Sequence, residues 1–167
     1  MVLPLDNTAL RVSDVATLER DRARDGRILI RTLKTGETVE LELWPDTLAA
    51  LEALPTPRGT EGKSPFYFWN AVTSRRALIG IAERTLATAF RASKVNRAHA
   101  HRFRHTLATQ LLGMGASLED VADILGNSPA IVRKHYAKWS RARPERIDWL
   151  MQAAQFGTSV AHEEKSL

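Results

Sequence analysis

The chain has no cysteine among its 167 residues. That excludes disulfides and thiolate zinc sites and fits a reducing compartment. No apolar run approaches the length of a membrane span, and the start, Met1 to Asn7, lacks the pattern of a secretory leader. A cytoplasmic protein with no membrane partner is therefore expected. Internal repeats and low-complexity blocks are also missing. Negative charge is in short supply: 24 Lys and Arg stand against 19 Asp and Glu, a net charge of +5, with a sequence pI near 10.0. Such a balance favours an anionic partner, of which nucleic acid is the commonest. What is present is ordinary for a globular chain, 44% hydrophobic and 26% charged residues, which excludes wholesale disorder and allows one domain with a real core.

The most informative stretch runs from His101 to Tyr136. It reads His101-Arg102-Phe103-Arg104-His105-Thr106, then an apolar helical run, then Leu125-Gly126-Asn127, then Lys134-His135-Tyr136. A His and an Arg three residues apart share one face of a helix. A Tyr follows well downstream, with basic neighbours. These are the means to hold a phosphodiester and attack it with a phenol, and Arg11 and Lys34 are placed earlier in the chain to complete such a site.

Periodicity predicts a mainly α-helical α+β domain with a small antiparallel sheet of about three strands near the N-terminal half. A helix is expected over Thr8 to Arg20, and none over Met1 to Thr8, which contains Pro4. Arg27 to Leu33 and Thr38 to Leu43 alternate as strands around a Lys34-Thr35-Gly36-Glu37 turn. Asp25-Gly26 is a further turn signal. Phe66-Tyr67-Phe68-Trp69 is expected as the third strand, after a loop from Pro55 to Pro65. Helices are expected over Pro45–Leu54, Arg75–Ala92, His101–Leu112, Leu118–Leu125, Pro129–Trp139 and Pro144–Phe156, with breaks at Gly113, Gly115 and Gly126. The polar remainder, 157–167, reads as a tail.

Taken singly, each candidate has an ordinary reading. Arg11 is a solvated surface charge, Lys34 a polar hairpin tip, His101 part of a helix start and Arg104 a salt-bridging side chain. Asn127 is a cap residue, and Tyr136 a core residue with its hydroxyl at the surface. His101 and His105 have the spacing of a helical zinc pair. Arg102 and Arg104 between them oppose a divalent cation, so no metal is expected. Leu118 to Trp139 also resembles a helix-turn-helix whose second helix carries Arg133, Lys134 and Lys138, the makings of a non-catalytic DNA-binding regulator.

Order and spacing together resemble the catalytic domain of the tyrosine recombinases, the phage integrase family. Leu10-Arg11-Val12-Ser13-Asp14 is similar to the family's first-arginine box, and Leu33-Lys34-Thr35-Gly36 to its Lys-Thr-Gly hairpin. His101 to Thr109 resembles the His-x-x-Arg box. Leu125-Gly126-Asn127-Ser128 fits the Leu-Gly-His-Ser position, with Asn127 where His is commonest. Tyr136 follows nine residues later, where the nucleophile belongs. The resemblance covers about residues 9–150, and the domain is drawn over 1–156. Only ten residues precede Arg11, so the chain is read as N-terminally truncated, without the family's separate DNA-gripping domain.

The resemblance implies a site-specific recombinase acting on double-stranded DNA. Tyr136 forms a 3′-phosphotyrosyl intermediate, Arg11 and Arg104 clamp the phosphate, and His101 accepts a proton and contacts the phosphate. Lys34 is the general acid, and Asn127 adds a hydrogen bond. It implies no cofactor, and a homo-oligomer, tetrameric in a synapse, when full length. The apolar stripe of the helix at Pro144 fits burial on its own domain or on a neighbouring protomer. The alternative function is a non-catalytic DNA-binding module, a helix-turn-helix regulator or an inactive integrase remnant.

Overall fold

A computed structural model describes residues 1–60, 62–139 and 148. The helix expected over Pro144–Phe156 (Asp148 apart) and the tail at 157–167 lie outside the described residues. Contrary to the sequence expectation, the chain opens with a helix, α1, at Val2–Thr8. Pro4 is accommodated because it stands in the first turn, where its missing N–H has no carbonyl to serve. The single helix expected over Thr8 to Arg20 is broken. Ala9 adopts a left-handed φ of 51°, Arg11 is extended, and α2 covers only Val12–Ala16. The apolar positions keep helical spacing across the break, so periodicity gives no sign of it. Leu5, Leu10, Val15 and Leu18 are buried all the same.

Two antiparallel strands, β2 at Arg27–Arg31 and β3 at Thr38–Glu42, form the expected hairpin, with Ile28 facing Leu41 and Ile30 facing Val39. The third strand is β1, Ala23–Arg24, paired to β2 across the Asp25-Gly26 turn. Asp25 and Gly26 both have positive φ, the geometry that matches a two-residue turn to strand twist. Phe66–Trp69 is not that strand, although Phe66 makes one isolated bridge to Glu19. Its backbone turns around Ser64, whose hydroxyl accepts from the Phe66 N–H and donates to the Trp69 carbonyl. Polar groups engaged in that way cannot continue a ladder.

Helix α3 spans Pro45–Glu52, α4 Arg75–Ala92, α5 His101–Gly113, α6 Leu118–Leu125 and α7 Pro129–Tyr136. A 3₁₀ turn over Ala137–Trp139 follows. Gly113 is the last residue of α5, and Gly115 follows with a positive φ, so the helix breaks where the two glycines predict. Ser117 and Asp120 cap α6 reciprocally, which stabilises its start by about 1 kcal/mol. Buried side chains gather in two main clusters, one under the sheet and α1–α3, the other among α5, α6 and α7. Ala9 belongs to the second cluster and its neighbour Leu10 to the first, so the break after α1 lies on the seam between them.

Candidate active site

Arg104 sits on the buried stripe of α5, in line with Ala108 and Leu112, and is 3% exposed. A guanidinium in that position needs acceptors. Its Nη1 donates to the Ala9 carbonyl at 2.9 Å, and its Nη2 donates to the Leu125 carbonyl. The Ala9 carbonyl is available because the chain breaks there. Of the five N–H donors these contacts engage two, which leaves others for a ligand. Burial, then the nearby Arg11, lower the Arg104 pKa to about 10, so it remains charged at neutral pH.

Arg11 stands just ahead of α2 as its N-cap. Its Nη2 donates to the Asn127 Oδ1 at 2.7 Å. Its Nη1 is buried and has no hydrogen-bond partner among the described residues. Because the Asn127 oxygen accepts from Arg11, the amide nitrogen is left as a donor. Asn127 therefore has the polarity an anion requires, although it is not a histidine.

His101, one turn before Arg104, lines a cavity of about 460 Å³ together with Arg11, Arg104 and the apolar Leu86 and Phe90. Burial, then Arg104, His99 and Arg11, hold its imidazole below the usual value. It is accordingly neutral at neutral pH and able to accept a proton. Tyr136 ends α7, 5% exposed, in the second core cluster. Burial pushes its phenol above the usual range, and Arg104 pulls it back. The His105 ring lies 5.4 Å from the Tyr136 ring and 5.0 Å from that of Trp139, so the phenol is packed among aromatics. Sequence reasoning assigned His105 no role beside Tyr136. Its position directly after Arg104 is the one signal that could have found it.

The structure thus brings Arg11, Arg104, Asn127 and His101 together, with Tyr136 in electrostatic reach of Arg104. Lys34 stands apart, exposed in the β2–β3 turn. The turn itself is tied to the site: the Leu33 N–H donates to the Asp14 Oδ1 at 2.8 Å, and the Thr35 hydroxyl donates to the Gly126 carbonyl at 2.8 Å. Three consecutive residues after α6 begins to end therefore receive three different elements. Leu125 accepts from Arg104, Gly126 from Thr35 and Asn127 from Arg11. No cluster of three or more potential metal ligands occurs among the described residues, and none of their helices is long and apolar enough to cross a membrane.

The phage integrase family profile matches residues 1–143, and the chain belongs to that family. Solved structures with the same fold include XerA recombinase (18% identity, TM-score 0.62, 91% of this chain and 56% of that one). The catalytic domain of bacteriophage HP1 integrase is similar as well (19% identity, TM-score 0.54, 86% of this chain and 76% of that one). A lambda integrase dimer bound to a COC′ core site matches at 18% identity and TM-score 0.55, over 85% of this chain and 51% of that one. The chain thus spans little more than half of the XerA chain. No curated protein sequence matches.

Proposed function

We propose that this chain is the catalytic domain of a site-specific recombinase that cleaves and rejoins double-stranded DNA with Tyr136 as nucleophile. The observation that carries the reading is the buried, unpartnered Nη1 of Arg11, on a cavity wall shared with His101 and Arg104. A donor held there matches a non-bridging phosphate oxygen, and guanidinium groups suit that geometry. Membership of the phage integrase family and the DNA complex formed by lambda integrase support DNA as the substrate.

In the first step the Tyr136 oxygen attacks the scissile phosphorus as its proton passes to neutral His101. Arg11, Arg104 and the Asn127 amide hold the non-bridging oxygens as charge builds on them. The bond from phosphorus to the 5′ oxygen breaks, and that oxygen takes a proton from the Lys34 ammonium. A 3′-phosphotyrosyl ester and a free 5′-hydroxyl remain. Rejoining reverses each transfer, and the ester retains the bond energy, so neither ATP nor a cofactor is required.

A nicked duplex that loses its short 5′-hydroxyl strand on cleavage traps the covalent complex. We expect a denaturant-resistant protein–DNA adduct from the chain and none from Tyr136→Phe, with duplex binding retained. Reversible binding with no adduct from the unaltered chain would overturn the proposal in favour of a non-catalytic DNA-binding module.

A further inference from the structure

We propose that Thr35 is a positioning residue: its hydroxyl ties the β2–β3 turn to the Gly126 carbonyl and thereby holds the backbone that bears Lys34 against the loop that carries the phosphate donors, from which the flexible lysine stem reaches the bound phosphate. The inference rests on the reading of Lys34 as general acid. Lysine carries its charge on a flexible four-carbon stem, and a proton donor works only within hydrogen-bond reach of the leaving oxygen. An exposed lysine in a hairpin turn meets that demand only if its backbone is fixed. Backbone on both sides of Lys34 is fixed here, by Leu33 to Asp14 and by Thr35 to Gly126.

The hydroxyl has one proton to give. Thr35 donates it to the Gly126 carbonyl, so its 2.6 Å contact with the Thr32 hydroxyl has Thr32 as donor. Thr32 is 2% exposed, and its carbonyl accepts the Gly36 N–H at 2.9 Å. A buried residue thereby orients an exposed one. The hairpin also lies against Gly126 itself, where an added Cβ would come 2.7 Å from Val39 Cγ2 and 2.8 Å from Thr32 Cγ2. Asn127, the Arg11 partner, is the next residue. The Thr35 hydroxyl therefore sets the distance between the turn that bears the acid and the loop that bears the phosphate donors.

Thr35→Val removes the hydroxyl at nearly constant shape, and Thr35→Ser restores it. Single-turnover cleavage is measured on two trapping duplexes, one with the natural 5′ oxygen at the scissile bond and one with sulfur there. A thiolate leaves without a proton, so the second substrate does not need the acid. Thr35→Val should slow the oxygen substrate by about 10- to 100-fold, within the usual range of general-acid contributions. It should slow the sulfur substrate by less than ~2-fold, with Thr35→Ser close to the unaltered chain on both. Equal slowing on the two substrates, or none, overturns the proposal. Lys34→Ala run alongside must show the same split; if it does not, the assignment of the acid fails, separately from Thr35. The tie itself is read by hydrogen exchange at the Gly36 amide, independently of cleavage. Exchange should quicken by about 10-fold in Thr35→Val, the equivalent of one net hydrogen bond. An unchanged rate would overturn the proposal even if neither duplex is cleaved.

Discussion

Arg104 is both a buried charge on the wall of the proposed phosphate site and a strut between the carbonyls of Ala9 and Leu125. Replacement by methionine would fill much of the volume but leave two carbonyls without their donor, each costing about 1–3 kcal/mol where water cannot reach. Arg104→Met should therefore lose about 2–6 kcal/mol in urea unfolding. Arg11→Met, which gives up one side-chain contact to Asn127, should lose about 1 kcal/mol. Equal losses would mean that the strut contributes nothing. His101 makes a different demand. Its pKa is held below the ordinary 6.5, and the proposed role as proton acceptor requires the unprotonated form. Cleavage should then be insensitive to pH around neutrality and fall as pH drops through that lowered pKa, when the ring takes up a proton. In His101→Gln the remaining slow cleavage should lack this acidic limb. An acidic limb of the same midpoint in the variant would assign it to another group.

Among the elements, those with a continuous apolar stripe and clear end signals match the sequence reading closely. Helix α4 follows Ser74, whose side chain accepts from the Ala77 N–H, and α6 lies between the Ser117 box and Gly126. The break at Ala9 was not legible, because alanine in a left-handed conformation carries no local signature. Nor was β1, two residues long and formed only because Asp25-Gly26 folds it onto β2. The six candidate site residues could be chosen from order and spacing. The way they are assembled could not, because it runs through the backbone carbonyls of Ala9, Leu125 and Gly126, a group every residue possesses. Gly126 is the exception, with a φ of 55° and no room for a side chain against Val39 and Thr32. Gly126→Ala combines a left-handed penalty of about 1 kcal/mol with overpacking of about 1–3 kcal/mol. The variant should lose ~2–4 kcal/mol in urea unfolding, and its β2–β3 amides should exchange faster than those of α4. A loss below about 0.5 kcal/mol, within the range of neutral surface changes, would show that the hairpin yields freely.

On the scale of the whole molecule, the candidate site occupies the seam between two packed clusters, and its polar contacts join them. Ala9 with Arg104 and Arg11 with Asn127 both cross from the N-terminal part to the α5–α7 part. A phosphate bound there would be gripped from both sides. The chain carries a net charge of +5, and the ion pairs among the described residues are few and exposed. Arg75, Arg76 and Arg102 make none among those residues. Cations free of carboxylates displace counterions when they meet DNA, so affinity should fall linearly with salt on logarithmic axes, by about 0.9 in slope for each phosphate neutralised. Fluorescence anisotropy with a labelled duplex between about 50 and 200 mM salt, a range where such binding changes strongly, measures that slope. If Arg11 holds a phosphate as proposed, Arg11→Ala removes one neutralising guanidinium and should flatten the slope by about 1. Tyr136→Phe, which alters no cation, should leave it unchanged and serves as the control. If the slope of Arg11→Ala equals that of the control, Arg11 does not contact a phosphate in the bound state, and its unpartnered Nη1 needs another explanation.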